Sequence, residues 1–126
     1  MDPLTAPIPD ADHRDIGGVH LDIVRVGNGR VGRVIYPAGF RWSRDMKPVV
    51  GTDFCEHVHI GLLVRGHIQG AYPDGCTFEY RAPAAVVLEP HHDAWVVGDE
   101  PAILVQFDAE GDTARRFGLQ GEHRHG

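Results

Sequence analysis

The sequence predicts an all-β domain, a barrel or sandwich of short strands preceded by an extended N-terminal arm. Three observations carry this: the apolar runs are short and rich in β-branched residues, glycine and proline turns punctuate them, and they recur at close spacing along the chain. With 126 residues the chain is long enough for one core and too short for two, so the expected organisation is an arm over 1–15, a barrel over 16–118 and a mobile tail over 119–126.

The arm, "MDPLTAPIPDADHRD", holds Pro3, Pro7 and Pro9 with little apolar content, and reads as extended chain lying across a neighbouring sheet or subunit, with no regular structure of its own. "VHLDIVRV" and "RVGRVIYP" flank "GNG" and predict a hairpin. "AGFRWSRDMKPVVGTD" is less periodic and predicts a loop feeding the strand that ends near Cys55. "VHIGLLVRGHIQGAY" and "CTFEYRA" flank "PDG", where Pro73 fixes φ and Gly75 supplies a positive φ, so a second hairpin is expected. "AAVVLEP", "DAWVVG" and "AILVQFD" predict three further strands, and "GDTARRFGLQ" predicts one helical turn capped by Asp112.

Composition narrows the function classes. Lys plus Arg total 12 against 18 Asp plus Glu, and the net charge of -6 disfavours a nucleic-acid backbone or an anionic membrane as partner. Small molecules and metal ions are the expected partners. The N-terminus lacks the basic and apolar regions of a signal peptide, no apolar run is long enough to span a bilayer, and a cytoplasmic location is expected. In a reducing compartment Cys55 and Cys76 are expected to stay unpaired. No nucleotide-binding glycine loop, nucleophile elbow or C-x-x-C pair occurs.

Nine histidines raise the question of chemistry. In an extended chain Cys55, His57 and His59 share one face, and "LEPHHDAW" brings His91 and His92 some thirty residues later, where two hairpins of one barrel can set them opposite. Imidazoles with an optional thiolate suit Zn, Fe(II), Ni, Cu or Mn, with positions left open for water or substrate. Each has a plainer reading: His59 as a core histidine bonded to backbone, Cys55 as a small buried hydrophobe, His92 as a turn cap. His91 and His67 are expected at the surface. Trp42 and Trp95 can line a pocket mouth, although Trp95 reads more simply as core, and Asp93 can orient a histidine or stabilise its own turn.

The strand order, the "HVH" segment running to Gly66, the "PDG" hairpin and the "HDAW" turn resemble the cupin superfamily of small jelly-roll barrels. "GFRWSRDMKPVVGTDFCEHVHIGLLVRG" with "EPHHDAWVVGDEP" is similar to small bacterial single-domain cupins. The resemblance covers about residues 39–108 and implies a barrel whose mouth binds a metal, a small molecule or both, often in a homodimer.

The chain departs from the cupin pattern at the site itself. Counting seven residues back from Gly66 puts His59 where the pattern has a glutamate, with Cys55 and Asp53 where it has two histidines. Glu89, Pro90 and His91 stand in place of a Pro-Pro-Gly turn, Ala94 stands where the last histidine is expected, two residues beyond His92, and Ala82, Pro83 and Ala84 stand in place of Pro-Gly-Asp. Either a divalent ion such as Zn, Fe, Ni or Mn is held by a rebuilt set of Cys55, His57 or Asp53, His59 and His92, or the pocket has another use. The expected functions are accordingly a metal-dependent enzyme acting on a small organic molecule, or a non-catalytic small-molecule-binding or sensory module.

Overall fold

The computed structural model describes residues 2–26, 29–51, 59–89 and 91–109, with the backbone alone described at Val26, Val50, His59, Asp108 and Ala109. Among the described residues nine strands form two antiparallel sheets. The larger carries β1 (Asp12–Ile16), β2 (Val19–Val26), β3 (Gly29–Tyr36), β9 (Ala102–Ala109), β4 (His59–Arg65) and β7 (Ala84–Leu88), in that spatial order. The smaller carries β6 (Thr77–Arg81), β5 (His67–Ala71) and β8 (Asp93–Val96). The expected all-β class is thus the observed one, a two-sheet jelly-roll barrel.

Period-two alternation assigns the faces. Val34 and Leu104 are cross-strand partners turned inward, and Leu63, Val86 and Leu88 meet Ile68, Phe78, Tyr80 and Val96 of the other sheet to form the core. The predicted β2–β3 hairpin forms, with Val26 paired to Gly29. The "PDG" turn also forms: Gly75 donates to the Tyr72 carbonyl at 3.0 Å, and Tyr72 donates to the Cys76 carbonyl at 2.8 Å. "VHIGLLVRGHIQGAY" is not one strand. It breaks at Gly66, where φ is +91° and the chain leaves β4 in the larger sheet for β5 in the smaller.

Two expected loops hold regular structure. The arm gives way at Asp12 to β1, which pairs with β2 through Ile16 and Val19 around a two-residue Gly17–Gly18 turn with φ of 58° and 84°. Only glycine adopts that pair of conformations without steric cost, and it matches the twist of the hairpin. The segment after β3 folds into two single-turn helices, α1 (Trp42–Asp45) and α2 (Lys47–Val50). Trp42 anchors α1 in the core, and Asp93 of β8 accepts the Ser43 backbone N–H at 3.0 Å.

The residues before β1 lie on the outer face of the larger sheet. Ile8 N–H donates to Asp22 at 2.9 Å, Arg33 donates to the Pro3 carbonyl at 3.1 Å, and Arg65 pairs with Asp2 at 3.3 Å. Covered this way, Asp22 and Arg33 on the sheet's outer face are as buried as the core. The expected helical turn at Asp112 and the tail over 119–126 lie outside the described residues. No helix among the described residues is long and apolar enough to cross a membrane.

Candidate functional site

His92 is the predicted site residue that the structure describes in full. It precedes β8 directly, is 2% exposed, and sits among aromatic rings of the barrel interior. Its ring stands edge-on to Tyr72 at 6.2 Å and to Phe78 at 5.9 Å between centroids. His92 Nδ1 lies 2.7 Å from the Glu89 carbonyl oxygen. A carbonyl only accepts, so Nδ1 carries a proton, and in the neutral ring the lone pair is on Nε2. The cap reading of this residue is therefore realised, with Nδ1 closing the turn while the ring is buried in the barrel.

The end of β7 is fixed by the same cluster. Tyr72 Oη accepts the Glu89 N–H at 3.3 Å, and Tyr80 donates to the Val87 carbonyl at 3.3 Å. His59 opens β4 and pairs in register with Leu88, the residue before Glu89. The backbones of the two expected histidines are thus brought to the same end of β7. Asp53, Cys55 and His57 lie outside the described residues, as does the side chain of His59. Cys76 is half-buried against the core, and burial, then the Asp74 carboxylate, push its thiol above the usual range.

The neighbouring residues take roles of their own. His91 is exposed with φ of 69°, in keeping with the surface reading. Asp93 serves α1, accepting from Ser43 and Ala94 and pairing with Arg41 at 3.3 Å, and among the described residues it orients no histidine. Trp95 departs from the core reading. Ala94 and Val96 face inward, so Trp95 stands on the outer face, where its Nε1 donates to Gln69 at 3.2 Å and the Arg41 guanidinium covers the ring at 4.5 Å. His67 lies on that outer face too, 2.7 Å from Glu79.

A second group of chemistry-bearing side chains lies on the β1–β2 hairpin. His13 faces Asp22 and Asp15 faces His20 as direct cross-strand partners, which puts two imidazoles and two carboxylates on one face. Asp22 Oδ1 is 2.7 Å from His13 Nδ1 and 3.0 Å from His20 Nε2, while His20 Nδ1 is 2.7 Å from Asp15. His13, His20 and Asp22 together offer ligand atoms within 4.8 Å of one another. Burial by itself would raise the Asp22 carboxyl, but the Ile8 N–H, the His13 bond and charge, and Arg33 outweigh it and hold the group below its usual range. The Asp15 hydrogen bond raises His20, against a smaller opposing effect of burial, and the Asp15 and Asp22 charges add to it. The sequence signal was local: "HRDIGGVHLD" is H-x-D, a Gly-Gly turn and H-x-D, and a two-residue hairpin pairs each histidine with an aspartate.

No family model matches the chain, and no curated protein does. Solved structures do match. The chain is similar to a cupin 2 conserved barrel domain protein from Salinispora arenicola, with a TM-score of 0.58 at 15% identity over 94% of this chain and 96% of that one. It is similar to the Cnp3 cupin domain of Schizosaccharomyces pombe, with a TM-score of 0.58 at 15% identity over 90% of this chain and 80% of that one. KdgF from a Halomonas species matches with a TM-score of 0.54 at 20% identity, over 80% and 88% of the two chains. These likenesses show the fold: the chain is a cupin-type barrel.

Proposed function

We propose that this cupin-fold chain is a metal-dependent enzyme acting on a small organic molecule inside the barrel, with His92 as a ligand. The observation that carries the reading is the bond from His92 Nδ1 to the Glu89 carbonyl, because it fixes the ring and directs the Nε2 lone pair as a metal-binding imidazole requires. The donor chemistry fits a divalent ion such as Zn, Fe, Ni or Mn, with His92 and His59 as ligands and Cys55 and His57 or Asp53 completing the set. Such an ion supplies a Lewis acid that polarises a carbonyl or carboxylate, or activates water. Tyr72 and Phe78 hold the His92 ring from two sides and keep its surroundings apolar, which strengthens charge interactions there.

Metal analysis of protein purified without chelator tests this, with His92→Gln and His59→Ala as comparisons. The expected result is a divalent ion in the wild type, weakened or lost in both variants. Wild-type protein that takes up none of Zn, Fe, Ni or Mn overturns it. The aromatic surroundings of His92 favour a second reading, a non-catalytic module binding a small molecule. A metabolite that raises the thermal midpoint and is recovered unchanged would select it.

A further inference from the structure

We propose that the outer face of the β1–β2 hairpin is a second metal site, in which His13, His20 and Asp22 bind a divalent transition ion such as Zn2+ or Co2+. It goes beyond the barrel reading and shares no residue with it. His13 Nδ1 and His20 Nε2 lie 2.7 and 3.0 Å from Asp22 Oδ1, and the three residues offer ligand atoms within 4.8 Å of one another, so they can reach a common ion through small shifts.

The surrounding contacts prepare the three atoms in the way metal ligands are prepared. Asp22 Oδ2 is held by Arg33 at 2.8 Å and by the Ile8 N–H at 2.9 Å, which leaves Oδ1 turned toward the two imidazoles. His20 Nδ1 is held by Asp15 at 2.7 Å, so that carboxylate orients the ring while the opposite nitrogen, Nε2, points at the centre of the group. The His13 and His20 rings are nearly parallel, 19° between planes with centroids 6.5 Å apart, and they flank Asp22 Oδ1. Both His20 nitrogens face carboxylates, which only accept, so the ring carries two protons; once it releases one, two carboxylates against the single guanidinium leave the group one charge negative, which favours a dication. An ion takes the place of the protons that now lie between the imidazole nitrogens and Oδ1.

Access and selectivity follow from the same geometry. His13 and His20 are 44% and 35% exposed, so water reaches the group and can complete a tetrahedral set. Two nitrogens and one carboxylate oxygen prefer Zn2+, Co2+, Ni2+ or Cu2+ over Mg2+ or Ca2+, which take all-oxygen shells. The three ligand residues come from the two strands of one hairpin, with Arg33 of β3 and the Ile8 N–H of the arm orienting Asp22.

Titration of the tag-free full chain with Zn2+ and with Co2+ tests the assignment, in the wild type, in His92→Gln and in a His13→Gln, His20→Gln double variant. The expected outcome is one ion equivalent that persists in His92→Gln and is weakened about 100-fold or more in the double variant, with Asp15→Asn weakening it about tenfold. Co2+ added to the isotope-labelled wild type should broaden the His13 and His20 imidazole resonances at that equivalent, a readout that needs no variant to fold. Unmoved His13 and His20 resonances, or a double variant that binds with wild-type stoichiometry and affinity, overturns the site. Loss of all binding in His92→Gln also overturns it and leaves the barrel site standing.

Discussion

Asp22 and Arg33 are direct cross-strand partners whose carboxylate and guanidinium meet at 2.8 Å, with their side chains 0% and 4% exposed. They lie on the outer face of the larger sheet, buried because the N-terminal arm covers them. Asp22 takes bonds from Ile8, His13, His20 and Arg33, while among the described residues Arg33 Nε has no hydrogen-bond partner. Removing the carboxylate strands a buried guanidinium. Asp22→Ala is expected to cost about 3–5 kcal/mol, measured by urea unfolding. Asp22→Ala combined with Arg33→Ala should cost clearly less than the sum of the two single changes, because the second change removes the charge that the first left unpaired. Full additivity would show that the pair is not what holds the arm.

Gly70 of β5 lies beneath the Phe78 ring, and a Cβ built there would collide with the ring carbons and with the Asp93 carbonyl. Neither neighbour can yield cheaply: Phe78 is core, and Asp93 is fixed between Ser43, Arg41 and Ala94. Gly70→Ala should therefore destabilise by about 1–3 kcal/mol through overpacking, read from the shift in denaturation midpoint. An unchanged midpoint would mean that the Phe78 ring has room to move.

How much of this was legible beforehand depended on whether the deciding contact was local. The strands were legible because alternating β-branched runs end at glycine and proline, and the "PDG" hairpin because Pro73 and Gly75 specify the turn by themselves. The helices α1 and α2 were not, since four residues carry no helical period and the acceptor for the Ser43 N–H comes from Asp93, fifty residues away in sequence. Trp95 misled because Ala94, Trp95 and Val96 are all apolar, so alternation has no phase there; pairing with Gln69 decides the face. At the candidate site His92 was legible from its turn, but its tautomer was not, because that is set by a carbonyl three residues back. The histidine and aspartate square on β1–β2 had a local signal that the proline-rich reading of the arm concealed.

The outer face of the smaller sheet should be acid-sensitive. Glu79 accepts from Gln69 Nε2 at 2.6 Å and contacts His67 Nε2 at 2.7 Å, and these hydrogen bonds hold its carboxyl below the usual 4.5. A folded-state pKa below the unfolded value means stability that is present above about pH 4.5 and lost as pH falls through the lower folded value. Glu79→Gln should remove this contribution, so that its unfolding midpoint falls less steeply than the wild type's on acidification. Parallel acid limbs in the two proteins would rule out a role for Glu79.

His92 separates structure from chemistry within one side chain, since Nδ1 holds the Glu89 carbonyl and Nε2 carries the lone pair. His92→Ala removes both and leaves a void between Tyr72 and Phe78, so it should destabilise by about 1–3 kcal/mol for the stranded carbonyl, with a further loss for the void. His92→Gln retains an amide N–H able to donate to Glu89 and fills most of the volume, and its loss should be smaller. For the proposed barrel metal the two variants should behave alike, because neither presents an imidazole nitrogen. Denaturant unfolding and metal affinity, measured on both, should therefore diverge: graded stability, equal loss of the ion. A His92→Gln protein that keeps wild-type affinity for the barrel ion would assign the ring to the turn alone.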